Sequence, residues 1–264
     1  KSAPLGSPMD KIYLILATLV FLGGFVLAVV ALRTGKYQTG RLNVGLAVLG
    51  LIFQSLFLKE RGDLHMRCPL TNGAEVLVFI SWSVVILYLA VGRAFRLSLL
   101  GVFSMPLVFL FQSFAIVSLM SNDPGARPPE SLDPWLEMHA AMSLLAYGAF
   151  GLAGIAGTMD LVLDRQLKSH SPGLLFYSLP PMKYLYDAML RLMLIGAGLL
   201  TMGVVSAFFM ATSPTALHLT VLGAVWLVYA GILTVNVARG LRPKSLSKLS
   251  IAAFSFALIA LLVI

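Results

Sequence analysis

PWLEMHAAMSLLAYGAFGLAGIAGTMDLVLD, residues 134–164, decides how the chain is to be read. A run this long and this apolar is enough to cross a bilayer as a helix, which takes about 20 residues. Trp135 sits at its start, where an aromatic belt forms at a membrane interface. His139 lies about one turn inside the run. Below it the small residues Ala146, Gly148, Ala149, Gly151, Ala153, Gly154, Ala156 and Gly157 form a ladder. Small residues let membrane helices pack closely. An ionisable side chain just inside such a span marks a candidate functional site.

Working outward, seven more apolar runs accompany this one. The eight predicted spans are Ile12–Leu32, Leu42–Leu58, Ala74–Val91, Leu97–Leu119, Trp135–Leu163, Leu192–Ala211, Leu217–Ala238 and Leu249–Ile264. The composition agrees: 59% of the residues are hydrophobic and only 11% are charged, against about 25% charged in a soluble domain. The expected fold is an all-α polytopic bundle of eight membrane-spanning helices, one integral membrane domain over residues 1–264. The last run ends without a polar tail, so the natural chain is expected to continue a little beyond it. The first ten residues lack the pattern of a secretory signal peptide.

The formal net charge is +8. The basic residues are scattered through short loops, so they set topology and do not form a nucleic-acid surface. Loops after the first, third, fifth and seventh spans carry Arg33, Lys36, Arg41, Arg93, Arg96, Arg165, Lys168, Lys183, Arg191, Arg239, Arg242, Lys244 and Lys248. The opposite side carries Lys1, Lys11, Lys59, Arg61, Arg67 and Arg127. The positive-inside rule puts the first, larger group in the cytoplasm and both termini outside. His139 and His218 then both belong to the outer level. Cys68 is the single cysteine, which excludes an internal disulfide and gives no Cys-x-x-Cys for thiol or metal chemistry.

Three loops are long enough to hold structure. Lys59–Gly73 is expected on the outer side and leads into the third span. Met120–Pro134, with four prolines, is expected to be irregular. In Asp164–Arg191, Pro180-Pro181 suits a helix start. Met182, Leu185, Tyr186 and Met189 recur at helical spacing, which predicts an interfacial helix running into the sixth span.

Each candidate polar residue has a functional reading and a structural one, and the residues alone leave both open. The His139 imidazole suits an axial ligand for haem iron; it equally suits an interfacial histidine bonded to a neighbouring helix. His218 opens the seventh span at the same depth. It either completes a bis-histidine site with His139 or faces lipid headgroups. A porphyrin along the small-residue ladder is compatible with close helix packing there. Trp135 and Trp226 are candidates to face a flat ligand, and Trp82 is a third tryptophan that packs or faces one. His65 reads as a loop residue, solvated or transiently ligating, and His170 as solvated on the inner side. Glu75 at the mouth of the third span calls for a partner, for which Arg67 is the expected cation, while Thr71 or Asn72 caps that helix. Asp160 is expected to pair with a basic loop residue. No phosphate-binding glycine loop, HExxH or Ser-His-Asp arrangement is visible.

Four stretches together resemble the cytochrome c assembly family, which includes the CcsA, ResC and HemX-like proteins. They are PLTNGAEVLVFISW (69–82), WLEMHAAMSLLAYGAF (135–150), LPPMKYLYDAMLRLMLIGAGLLTMGVVSAFF (179–209) and AVWLVYAGIL (224–233) followed by Arg239–Pro243. The resemblance covers roughly Pro69 to the end. It implies haem handling in the bacterial cytoplasmic membrane, a b-type haem, His139 as an outer-side ligand, and other cytochrome c maturation membrane proteins as partners. The family's tryptophan-rich W-x-W-D-P-K segment corresponds to Met210–His218, which has no tryptophan and no Asp-Pro. That departure resembles the HemX-like branch and implies an accessory role without covalent attachment by this chain. Two alternatives remain: a regulatory or scaffold subunit that binds partner helices without haem, and a dihaem subunit exchanging electrons with quinone. The second needs a further histidine pair toward the inner leaflet.

Overall fold

The structure is a computed structural model that describes residues 8–34, 40–95, 100–121, 133–168, 181–211 and 215–263. Among these residues eight helices follow in order: α1 Pro8–Thr34, α2 Gly40–His65, α3 Gly73–Phe95, α4 Leu100–Ser121, α5 Pro134–Lys168, α6 Met182–Ala207, α7 Ala216–Arg239 and α8 Pro243–Val263. All eight are long and apolar enough to cross a membrane, and no strand occurs among the described residues. The protein is a multi-pass all-α bundle.

Successive helices alternate in direction. The start of α1 meets the end of α2 and the start of α3 through Asp10, Arg61 and Glu75. The start of α5 meets the end of α6 and the start of α7 through His139, Gly203 and His218. These junctions share one end of the bundle, called here the histidine end. At the opposite end Asp164 pairs with Lys168 and Lys244, and the Tyr186 hydroxyl donates to Asn236.

α5 is the axis of the bundle and its most enclosed helix. Its most extensive contact is with α6, followed by α8 and α3. The small-residue ladder explains why. A Cβ added at Gly148 would lie 2.6 Å from the Ser83 Cβ of α3, and one at Gly157 would lie 2.9 Å from the Ser247 carbonyl of α8. Neighbouring helices therefore approach to backbone distance at these positions, as small residues permit in membranes. The ladder is occupied by helix packing.

Several expected boundaries move. Lys59–His65 continue α2, so the loop expected on the outer side shrinks to the residues between His65 and Gly73. The helix expected from Met182 does begin there, behind Pro181, and runs unbroken into the sixth span. It stops at Ala207, four residues before the expected end, because Phe208 and Phe209 turn back onto the carbonyls of Val205 and Ser206. α8 starts at Pro243, where a proline fits the first helical position. Residues 122–132 and 169–180, which include His170 and most of the two remaining long loops, lie outside the described residues.

Candidate functional site

The start of α5 is built by Asp133. Its carboxylate accepts the N–H groups of Trp135 at 3.0 Å and Leu136 at 3.4 Å, the usual job of an N-cap. The same carboxylate accepts the Ala211 N–H at 2.8 Å, tying the segment after α6 to the start of α5. These bonds, the Ala211 one foremost, hold the Asp133 carboxyl below its ordinary value. Across the bundle, Thr215 caps α7 by accepting the His218 N–H at 3.3 Å. Two caps thus set the turns that carry the two histidines.

His139 is buried, with 4% of its surface exposed. Its Nδ1 lies 2.7 Å from the Gly203 carbonyl of α6. A carbonyl oxygen only accepts, so Nδ1 carries the proton and donates. The neutral ring then has its lone pair on Nε2. His218 Nε2 faces that atom at 3.1 Å, with the rings tilted by 49°. Gly203 makes this possible, since any Cβ there would lie 2.5 Å from Ser143 Oγ.

The histidine pair forms part of the wall of a cavity of about 640 Å³, in the size range of small-molecule and cofactor sites. Leu70, Val76, Leu77, Leu136, Leu144, Leu222 and Leu261 give it an apolar lining. Thr71, Asn72, Ser143 and Tyr147 supply polar groups. Trp135 is partly exposed and packs on Phe209 at 4.9 Å. Trp226 donates its indole N–H to Thr201 at 2.8 Å. Neither tryptophan is among the residues lining the cavity. Trp82 likewise donates to Ser55 on α2.

Beside the cavity lies a buried ionic cluster that sequence reading paired differently. Glu75 meets Arg61, not Arg67: Arg61 Nε donates to Glu75 Oε1 at 2.8 Å, and Nη1 lies 3.2 Å from Asp10 Oδ2. Arg67 Nε has no hydrogen-bond partner. The reason is helical reach. α2 continues through His65 and points Arg61 inward, one turn before its end. His65 follows on the same face four residues later. It is fully buried, with Nε2 2.8 Å from Glu75 Oε1, which overturns the solvated-loop reading. Asn72 caps α3 by accepting the Glu75 N–H at 3.0 Å, and Glu75 Oε2 accepts both the N–H and the hydroxyl of Thr71. The cluster therefore anchors the loop whose residues Leu70 to Gly73 line the cavity. No sequence signal pointed to Asp10 as a member; its partner is 51 residues away. Asp160 is also corrected: it accepts from the Ser247 hydroxyl at 2.7 Å, and the basic residues go to Asp164.

Cys68, in the same loop, donates its N–H to Glu137 at 3.1 Å. Burial, with the carboxylates of Glu137 and Glu75 nearby, pushes its thiol up to about 11. It is a poor nucleophile at neutral pH.

Two facing imidazoles do not complete the shell of a bare metal ion, which takes four or more ligands. Among the described residues no group of three or more histidine, cysteine or acidic side chains could hold one. The donor set fits a metal that brings its own equatorial ligands, held from both faces in an apolar slot, as haem iron is by two axial histidines. The unpartnered Ser143 and Tyr147 hydroxyls in the same wall also suit a ligand with polar edge groups.

Fold and site together define a polytopic helical membrane protein with a two-histidine cavity at one end. The particular family follows from comparison with known proteins. The family model described as Cytochrome C assembly protein matches residues 70–264, and the chain belongs to that family. It is 28% identical over 166 residues to the cytochrome c biogenesis protein CcsA of Nostoc punctiforme, covering 61% of this chain and 45% of that protein. It is 32% identical over 111 residues to CcsA of Trichormus variabilis, covering 40% of this chain and 32% of the relative. It is 29% identical over 174 residues to the protein HemX of Brevibacillus brevis, covering 64% and 61%. The chain thus spans less than half the length of these two CcsA relatives. α1, α2 and the first part of the loop after α2 precede the family match.

Proposed function

We propose that this chain binds a b-type haem in the cavity at the histidine end, with His139 and His218 as iron ligands. On this reading it receives, stabilises or relays haem during cytochrome c biogenesis in a bacterial cytoplasmic membrane. The observation that carries the proposal is the pair of Nε2 atoms facing each other 3.1 Å apart on the wall of an apolar cavity. Imidazole–metal bonds of about 2 Å on each side require the rings to part by roughly 1 Å. Bound haem supplies a redox-active iron whose equatorial ligands are its own. The chain's own groups do the rest. The Gly203 carbonyl fixes the His139 tautomer and leaves Nε2 free, the usual second-shell device at metal sites. Thr215 positions the turn that carries His218. The leucine-rich wall keeps water from the macrocycle.

Family membership and the relatives' names support the biogenesis setting. The residues between α6 and α7 hold no tryptophan, so the proposal assigns covalent haem attachment to a partner membrane protein. A scaffold without haem would have no use for a cavity of this size beside paired imidazoles.

The test is the absorption spectrum of protein purified from haem-replete cells. A Soret band is expected for the wild type. His139→Ala should lose it, and His218→Ala should lose it or show changed axial ligation. A colourless wild-type protein refutes haem binding. Wild-type spectra in both variants refute the ligand assignment.

A further inference from the structure

Two hydroxyls in the cavity wall have no hydrogen-bond partner in the protein. Ser143 Oγ and Tyr147 OH are unsatisfied, and their residues are only 7% and 2% exposed. Three other polar residues of that wall are bonded within the protein. The Thr71 hydroxyl donates to Glu75, Asn72 accepts the Glu75 N–H, and His139 Nδ1 donates to Gly203. Buried serines in membrane helices ordinarily bond back to the carbonyl four residues earlier. Ser83 and Ser104 do so here, but Ser143 makes no such bond to His139.

Ser143 and Tyr147 follow His139 at four and eight residues, so all three share one face of α5. Helical side chains lean toward the helix N-terminus, which carries the Tyr147 ring back toward the level of Ser143. By helical rise the Cα atoms of Ser143 and Tyr147 lie about 6 Å and about 12 Å along α5 from that of His139. A buried hydroxyl without a partner destabilises the protein. Two of them on one wall call for an acceptor that arrives with the ligand.

We propose that Ser143 and Tyr147 are ligand-binding residues whose hydroxyls donate hydrogen bonds to a carboxyl oxygen of the cavity's ligand. The inference rests on the haem reading above. Of the rim substituents of a b-type haem (methyl, vinyl and propionate), only the propionate carboxyls are strong acceptors. One propionate is thus turned toward α5, and the two hydroxyls fix the rotation of the macrocycle about the His139–iron axis.

The experiment titrates haem and haem dimethyl ester into purified wild type, a Ser143→Ala/Tyr147→Phe double variant and His139→Ala. The ester masks the anionic oxygens and leaves the iron and ring unchanged. Hydrogen bonds to charged acceptors are worth about tenfold to a hundredfold in affinity. The wild type is expected to prefer haem over the ester by about that factor. The double variant should lose the preference while keeping a histidine-ligated spectrum. Without ligand, the double variant should unfold at a higher temperature than the wild type, because the unsatisfied hydroxyls are gone. An equal haem-to-ester ratio in wild type and double variant overturns the inference and leaves the haem site standing. A wild type that binds neither compound overturns the haem reading itself.

Discussion

Gly203→Val tests the geometry of the site without replacing a proposed iron ligand. A Cβ at this position lies 2.5 Å from Ser143 Oγ, 3.3 Å from Ser143 N and 3.4 Å from the His139 carbonyl. The hydroxyl can rotate away, but the α5 backbone cannot, and the two γ-methyls of valine add to the conflict. α6 must then move off α5 by about 1 Å, at an overpacking cost of about 1–3 kcal/mol. A displacement of that size takes the 2.7 Å bond from His139 Nδ1 to Gly203 past the roughly 3.5 Å limit of a hydrogen bond. Losing the partner that orients a metal-binding histidine weakens binding by about 10–100-fold. Gly198→Val, five residues earlier on the same helix, is the control. A Cβ there meets nothing within 4 Å, and the change in helix propensity is the same. Haem titration followed at the Soret band, alongside thermal unfolding in detergent, reads both effects. If Gly203→Val binds haem within about twofold of Gly198→Val, the reasoning is refuted.

Arg61→Met should cost about 3–5 kcal/mol, because it leaves the buried carboxylates of Asp10 and Glu75 without their guanidinium; unfolding of the detergent-solubilised protein checks this, and a loss under about 1 kcal/mol contradicts it. Cys68 should react with a maleimide at pH 8 about twentyfold more slowly than a free thiol. A thiol near 11 is about 240-fold less ionised than one at 8.5, and greater intrinsic nucleophilicity returns about an order of magnitude. The rate should keep rising to pH 10, and a plateau below pH 9 would contradict the assignment. Asp133 has a lowered carboxyl in the folded protein, so its contribution is present above the ordinary carboxylate value and is lost as pH falls through the lowered one. Between pH 5 and 3 the unfolding temperature of the wild type should fall more steeply than that of Asp133→Asn; parallel curves would show that the bonds to Ala211, Leu136 and Trp135 do not hold in solution.

Much of the site was visible before any coordinates, though not its connections. His139 stood out as an imidazole about one turn inside its span, and His218 as one opening the seventh. Their mutual approach was only a depth argument. The role of Gly203 was hidden, because a glycine in a membrane helix gives no sign of which side chain its carbonyl will meet. Ser143 and Tyr147 fall in the S-x-x-x-Y part of the stretch that carries the family resemblance, yet nothing in the sequence marks their hydroxyls as unsatisfied. A hydroxyl in an apolar run looks like one that bonds back to its own helix, and only the missing bond makes these two informative. His65 and Arg61 were assigned to a loop because charged residues lower the hydropathy of a window. Burial in an ion cluster removes that penalty and lets α2 run on.

Eight apolar spans, their order, the two that carry histidines and the family were all legible in the chain. Those properties depend on local hydropathy, end signals and short motifs, which need no knowledge of which helix lies beside which. Tertiary structure alone decided the partners: Arg61 with Asp10 and Glu75, His139 with Gly203 and His218, Asp160 with Ser247. In a membrane bundle nearly every helix has an apolar face for any neighbour, so hydropathy does not choose among them. The choice comes from steric fit, where glycines let backbones touch, and from the high cost of leaving a buried polar group without a partner.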